Sequence, residues 1–262
     1  MRIVFDTATL ALISGASKGI GLACAQAMAA AGARCVLVAR NQQALDEALA
    51  SLPGEHGQHR AYAADLSDGQ AAAELVAGIE RDLGPIGVLI NSAGAAQRFS
   101  VDELNPAALA QGMNAKYFPT VHLLEPVAKH MADRGKGAIV NIIGQGGKQA
   151  SPLHISGGSA NAALMLATAG FARAYASKGV RVNGINPGLT KTSRVDEGMK
   201  AASRATGEST ESLLAQAQAA IPMGRMAEPA EIAQVAAFLA SDLASYVTGA
   251  IIPMDGGGAA VI

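Results

Sequence analysis

The sequence predicts a single α/β domain: a doubly wound, mostly parallel sheet of about seven strands with helices on both faces. Three observations carry this expectation. Short apolar runs alternate with helix-prone stretches along all 262 residues. Gly or Pro punctuates most junctions, as at Gly32, Gly84-Pro85, Gly135 and Gly179. The composition is 50% hydrophobic but only 3% aromatic, and rich in Gly and Ala, which suits helices packed closely on a sheet. A chain of this length can bury one large core.

Strands are expected at Leu10–Ser14, Arg34–Ala39, Arg60–Ala64, Ile86–Asn91, Ala138–Ile143, Val180–Asn186 and Ala250–Met254. Helices are expected between them, at Gly19–Ala31, Gln42–Ser51, Gly69–Leu83, Asn105–Arg134, Ser159–Lys178 and Pro229–Leu239. No repeat or low-complexity linker divides the chain, so residues 1–262 read as one domain. Ser193–Ala220 breaks the alternation. It is polar, Ala-rich and helix-prone, which makes it a lid-like insertion over a site at the C-terminal ends of the strands.

The bulk numbers exclude several partners. A formal net charge of −1 gives no electrostatic footprint for nucleic acid or an anionic membrane. Cys24 and Cys35 lie in apolar surroundings, so buried reduced thiols are favoured over a disulfide or a metal site. Arg2 precedes the apolar run Leu10–Ile13, but that run is short for a signal peptide and leads straight into a glycine turn. No uncharged apolar stretch approaches the roughly 18 residues of a membrane span. The expectation is a cytoplasmic protein acting on a small molecule, with no metal.

The first strand runs into Ser14-Gly15-Ala16-Ser17-Lys18-Gly19-Ile20-Gly21. Gly15 permits a tight turn. Gly19 and Gly21 let a helix begin close to phosphates, and the N–H groups and dipole of that helix suit a pyrophosphate. A structural turn is the alternative, but a strand before and a helix after are the context of a Rossmann-type dinucleotide site. The second strand ends Val38-Ala39-Arg40-Asn41. An NAD site places an acid there for the ribose hydroxyl. Here Arg40, with Lys18 in the turn, favours a 2′-phosphate and hence NADP(H) over NAD(H); a solvated surface arginine is the other reading.

Taken together, these motifs resemble the short-chain dehydrogenase/reductase family over almost the full chain. Asp65-Leu66 matches the pair that meets the adenine ring. Asn91-Ser92-Ala93-Gly94 resembles the Asn-Asn-Ala-Gly motif after the fourth strand. Asn114 matches the helical Asn that orders a proton-relay water. Asn186-Pro187-Gly188 with Thr190 and Thr192 matches the loop that holds the nicotinamide carboxamide. Thr248-Gly249 and Asp255-Gly256-Gly257 match the family's ending. The resemblance also implies dimers or tetramers formed through the fourth and fifth helices and the last helix and strand. The apolar tail Ala259–Ile262 would then be covered.

One part of the pattern departs from the family, which keeps a Ser after the fifth strand and Tyr-x-x-x-Lys at the fifth helix. Ile139–Ile143 aligns with the strand and leaves Gly144 at the Ser position. Asn161-Ala162-Ala163-Leu164 aligns with Lys-Ala-Ala-Leu, leaving Asn161 at the Lys position and Gly157 at the Tyr position. No change of register restores the Tyr. Tyr175-Ala176-Ser177-Lys178 is one residue short and lies at the helix's far end. Losing a positioned acid–base group costs about 10²–10⁴ in rate. Asn161 keeps a hydrogen bond for a ribose hydroxyl but brings no cation.

His154, three residues before Gly157, is the candidate proton donor, since an unperturbed imidazole titrates near pH 6.5 (about). Lys148, Ser151, Ser156 and Ser159 flank the same entry. They also read as a solvated charge and helix caps, as His154 does as a cap. Three functions follow in order. The first is an NADP(H)-dependent oxidoreductase for a small carbonyl or alcohol with a rearranged catalytic set. The second is a non-catalytic NADP(H)-binding subunit or regulator. The third is isomerisation or elimination through His154 without net hydride transfer.

Overall fold

The computed structural model describes residues 3–54, 57–94 and 96–259. Seven strands form one parallel sheet in the order β3-β2-β1-β4-β5-β6-β7. They are β1 Leu10–Ser14, β2 Arg34–Ala39, β3 Arg60–Ala63, β4 Ile86–Asn91, β5 Gly137–Ile142, β6 Val180–Pro187 and β7 Ile251–Met254. The order reverses between β1 and β4, which opens a crevice at their C-terminal ends.

Strand alternation divides the core. Ala11 and Ile13 of β1 face one cluster, with Met28, Leu45 and Ile232. These belong to helices α1 Gly19–Ala30 and α2 Gln42–Ala50, and to the last helix, Pro229–Ala240. Leu10 and Leu12 face the other cluster, with Val76, Leu123 and Ala172. α3 Gly69–Leu83 supplies Val76. Cys24 and Cys35 are free and buried in the first layer, where burial pushes each thiol up to about 12.

Local chemistry sets the helix starts. Asn41 caps α2 by accepting from the Ala44 N–H at 2.9 Å, and Asp68 caps α3 from Gln70 and Ala71. α1 has no side-chain cap, so its first N–H groups remain open to the crevice.

The expected Asn105–Arg134 helix is broken. α4 Pro106–Gly112 gives way to a π-helical stretch, Met113–Tyr117, before α5 Phe118–Arg134. Pro119 has no N–H to offer the Ala115 carbonyl. That carbonyl lies instead against Gly94, where an added Cβ would meet it at 2.2 Å. Such bulges recur at functional sites, and this one carries Asn114 and Lys116.

α6 runs Ile155–Tyr175, starting four residues before the expected Ser159. His154 is its N-cap residue, at the end of a 3₁₀ turn Pro152–His154. The expected lid is two helices, α7 Ser193–Thr206 and α8 Thr210–Ala219. The final helix is α9, Pro229–Ala240, which begins with a capping box from Glu228 and Glu231.

Candidate active site

Two joined cavities open at the C-terminal ends of the strands. The first, of about 990 Å³, is lined by the glycine turn and the ends of β2, β3 and β4. Gly15, at φ 66°, lies so close to the end of β4 that a Cβ would sit 2.8 Å from Ala93 N and Cα. A Cβ on Gly21 would stand 2.2 Å from the Gly15 carbonyl oxygen. Side chains are excluded from both positions. The Gly15 and Ala16 N–H groups bond to the Val38 carbonyl at 2.8 and 3.3 Å, and the uncapped start of α1 presents the N–H groups suited to a phosphate.

Ser17, Lys18, Ile20, Arg40, Asp65, Leu66, Ala93, Gly94, Asn114, Pro187, Gly188, Thr190 and Thr192 also line this cavity. Thr192 packs over the turn, its Cγ2 3.3 Å from a Cβ on Gly19. Hydrogen bonds from the Ser67 N–H and hydroxyl hold the Asp65 carboxyl below its usual range, with a smaller contribution from Arg40.

Asn91 is not on the cavity wall. It is 1% exposed and its amide is committed behind the wall. Its Nδ2 donates to Asn141 Oδ1 at 3.0 Å, and its Oδ1 accepts from Ser14 Oγ at 3.4 Å. Asn141 Nδ2 donates in turn to Thr168 Oγ1 on α6 at 2.9 Å. Ser14 Oγ also accepts from the Ser92 and Ala93 N–H groups, each at 3.2 Å. This buried chain fixes β1, β4, β5 and α6 relative to one another, and so positions the site indirectly.

The second cavity, of about 870 Å³, holds Gly144, His154, Gly157 and Asn161. A Cβ built on Gly157 would fall 2.1 Å from His154 Cε1 and 2.6 Å from Nε2. A Cβ on Gly146 would fall 2.8 Å from His154 Cδ2. The imidazole therefore occupies space that any side chain at 157 would claim. Its Nδ1 is buried without a hydrogen-bond partner among the described residues. Burial, then the positive charges of Arg98 and Lys116, hold the His154 pKa below the ordinary imidazole value, so the ring is neutral near pH 7 (about).

Asn161 is 6% exposed, and its side chain makes no hydrogen bond to another described residue. Its Nδ2 would lie 3.0 Å from a Cβ on Gly144. Two expected helpers are elsewhere. Ser156 Oγ donates to the Ala108 carbonyl at 2.6 Å, which ties α6 to α4 and spends the hydroxyl. Lys148 is exposed and absent from the walls of both cavities. Ser151 reaches the wall of the second cavity, and Ser159 is exposed on α6.

Sequence reasoning missed the cations. Arg98, Lys116, Arg194, Lys200 and Arg204 line the second cavity, against the carboxylates of Glu197 and Asp255. Lys116 is 7% exposed and donates through Nζ to the Ile142 carbonyl at 2.8 Å. Burial, and then Arg194, bring its pKa down to about 8. The available signal was Lys116's place two residues after Asn114, in a helix about to meet Pro119.

Among the described residues no group of His, Cys, Asp and Glu is placed to hold a metal ion. None of the described helices is long and apolar enough to cross a membrane. The end of the expected apolar tail, residues 260–262, lies outside the described residues; Ala259 N donates to Asp255 Oδ2 at 3.1 Å.

Comparison with known proteins agrees with this geometry. The family profile described as "Enoyl-(Acyl carrier protein) reductase" matches residues 15–258. D-threitol dehydrogenase of Mycolicibacterium smegmatis is 36% identical over 251 residues, covering 95% of this chain and 92% of that protein. Gluconate 5-dehydrogenase of Gluconobacter oxydans is 34% identical over 94% of this chain and 93% of its own. Among solved structures, actinorhodin polyketide ketoreductase with NADPH superposes with a TM-score of 0.92 at 26% identity, over 98% of this chain and 100% of that one. NAD+-bound xylitol dehydrogenase gives 0.89 at 28% identity, over 98% and 100% respectively. The chain belongs to the short-chain dehydrogenase/reductase family.

Proposed function

We propose that the protein is an NADP(H)-dependent oxidoreductase that interconverts a small alcohol and its ketone. In this reading His154 takes the place of the family's Tyr, because Gly144, Gly157 and Asn161 stand at its Ser, Tyr and Lys positions. The observation that carries the reading is the overlap at residue 157. A side chain there and the His154 ring exclude each other, the would-be Cβ lying 2.1 Å from Cε1. Loss of the Tyr side chain is what gives the imidazole its place.

The first cavity suits a dinucleotide. Gly15–Gly21 and the uncapped start of α1 would hold the pyrophosphate, Asp65 and Leu66 the adenine side, and Pro187, Gly188, Thr190 and Thr192 the nicotinamide side. Lys18 and Arg40, both exposed on the wall and neither in an ion pair with another described residue, would grip a 2′-phosphate. When bound, the nicotinamide accepts the hydride in oxidation and returns it in reduction.

The protein's own residues move the proton. In oxidation the alcohol O–H proton passes to neutral His154 as the C–H hydride leaves. In reduction the imidazolium returns that proton to the oxygen. Lys116 supplies, from the π-helical stretch, the cation that Asn161 does not. Asn161 offers its amide to a ribose hydroxyl or the substrate oxygen, and Asn114 orders a relay water. α7 and α8 act as the lid. Leu109, Phe118 and Leu166, all exposed, lie on α4, α5 and α6 and suit burial in a homo-oligomer.

The test is a titration of NADPH against NADH, followed by NADP+ reduction with polyols and hydroxy acids, D-threitol and gluconate among them. Turnover that falls about 10²–10⁴-fold in His154→Ala with unchanged NADPH affinity is expected. No turnover across the panel beside tight NADPH binding would overturn catalysis and leave a non-catalytic NADP(H)-binding protein.

A further inference from the structure

Arg98 and Lys116 stand in the second cavity with nothing to balance them. Arg98 is half-buried and makes no hydrogen bond or ion pair with another described residue. Its guanidinium packs under α7, with Nε 3.3 Å from a Cβ on Gly198. Among the described residues Lys116 Nζ has its one partner in the Ile142 carbonyl, leaving donors to spare. Both carboxylates on the wall are already committed. Glu197 pairs with Arg194 at 2.8 Å, and Asp255 accepts from the Gly257 and Ala259 N–H groups at 3.0 and 3.1 Å.

Desolvated cations without a counter-charge are costly. Burial acts on Arg98, burial and then Arg194 on Lys116, and burial, then Arg98 and Lys116, on His154; no carboxylate among the described residues offsets them. A site held in this state has a use for an anion. The cofactor's phosphates have their own cradle in the glycine turn, whereas Arg98 lies where the two cavities meet, on the walls of both, and its charge acts on His154.

We propose that the substrate carries an anion, a carboxylate or a phosphate, gripped by the Arg98 guanidinium so that its reacting carbon is delivered beside His154. For that carbon this rests on the alcohol–ketone reading above. The Arg98 fork matches either anion through paired N–H donors. Lys116, lying on the walls of both cavities, faces the reacting oxygen.

The test is calorimetric titration of the full chain saturated with NADP+. The probes are lactate against lactamide, mandelate against mandelamide, and phenyl phosphate against phenol. At least one anion should bind about ten- to hundredfold more tightly than its neutral counterpart. The preference should vanish in Arg98→Gln and fall only partly in Arg98→Lys, with NADP+ affinity unchanged in both. A preference confined to the carboxylates, or to phenyl phosphate, identifies the anion. Equal binding of each pair, no anion binding, a preference that survives Arg98→Gln, or a loss of NADP+ affinity in that variant overturns the proposal. Because the readout is binding, it stands apart from turnover. Acid preference without hydride transfer would refute only the oxidoreductase reading, and turnover of neutral alcohols without acid preference would refute only this one.

Discussion

The two cavities are built by different rules. The dinucleotide cavity is made of short contiguous motifs, each at the end of one strand. Its shape is dictated by backbone: two glycines whose Cβ atoms would collide at 2.2 to 2.8 Å with neighbouring main chain, and a helix start left uncapped. The histidine cavity is assembled from the β4 loop, the π-helical stretch, the start of α6 and the lid. Its character comes from charge and from an imidazole packed where Gly157 carries no side chain. The first is set by backbone, and the second by which side chains the fold brings together.

That contrast can be broken or sharpened by mutation. Arg40→Asp should weaken NADPH by about ten- to hundredfold, as expected for removing charge-assisted bonds to a phosphate, and turn the preference towards NADH. Fluorescence titration with both cofactors checks this, and equal affinity for both in the parent protein would refute the Arg40 argument.

Lys116→Met should produce the opposite pairing of effects, slower turnover in a more stable protein. Replacing a buried charge by an apolar chain of similar volume gains about 1–4 kcal/mol in favourable cases. The pH dependence has a definite sign. Lys116 is held near 8 when folded and 10.5 is its ordinary value, so the unfolded chain binds more protons between those pH values. Its contribution to stability therefore rises from about pH 8 to 10.5 in the parent and is absent in the variant. Denaturant melts at both ends of that window measure it.

Ser156→Ala is the mildest change. It should cost roughly 1 kcal/mol from the lost bond to Ala108, seen in the melting temperature, and leave turnover unchanged. A loss of turnover would return the hydroxyl to the mechanism.

The sequence made the sheet and the residues that share the first cavity readable because both rest on local patterns. β1, β2 and β4 begin and end where the apolar runs do, and the glycine turn sits between a strand and a helix as its spacing demands. The single helix expected at Asn105–Arg134 was misread because apolar periodicity continues through the break. The cause lies in Pro119's missing donor and in the approach of Gly94. Asn91 heads the motif after the fourth strand but is buried behind the cavity wall. Its actual partners, Ser14 and Asn141, are 77 and 50 residues away.

The cation cluster was hidden for the same reason. The lid charges look scattered along Ser193–Ala220, and Arg98 and Lys116 come from two other segments. Only folding brings them to one wall. His154 was readable because its spacing from Gly157 placed it on the entering turn. What spacing could not show was that the two compete for the same volume.

The central claim is that His154 carries the proton. Its most direct test is the pH dependence of kcat/KM for NADP+-linked oxidation, in the parent and in His154→Ala. The rate should rise with pH through a group whose pKa lies below the ordinary imidazole value, because the neutral ring is the base and burial, Arg98 and Lys116 lower its pKa, then level off until Lys116 loses its charge at about 8. In His154→Ala that limb should disappear and the plateau should fall by about 10²–10⁴. An alanine variant that keeps both the limb and the rate would show that the proton leaves by another route.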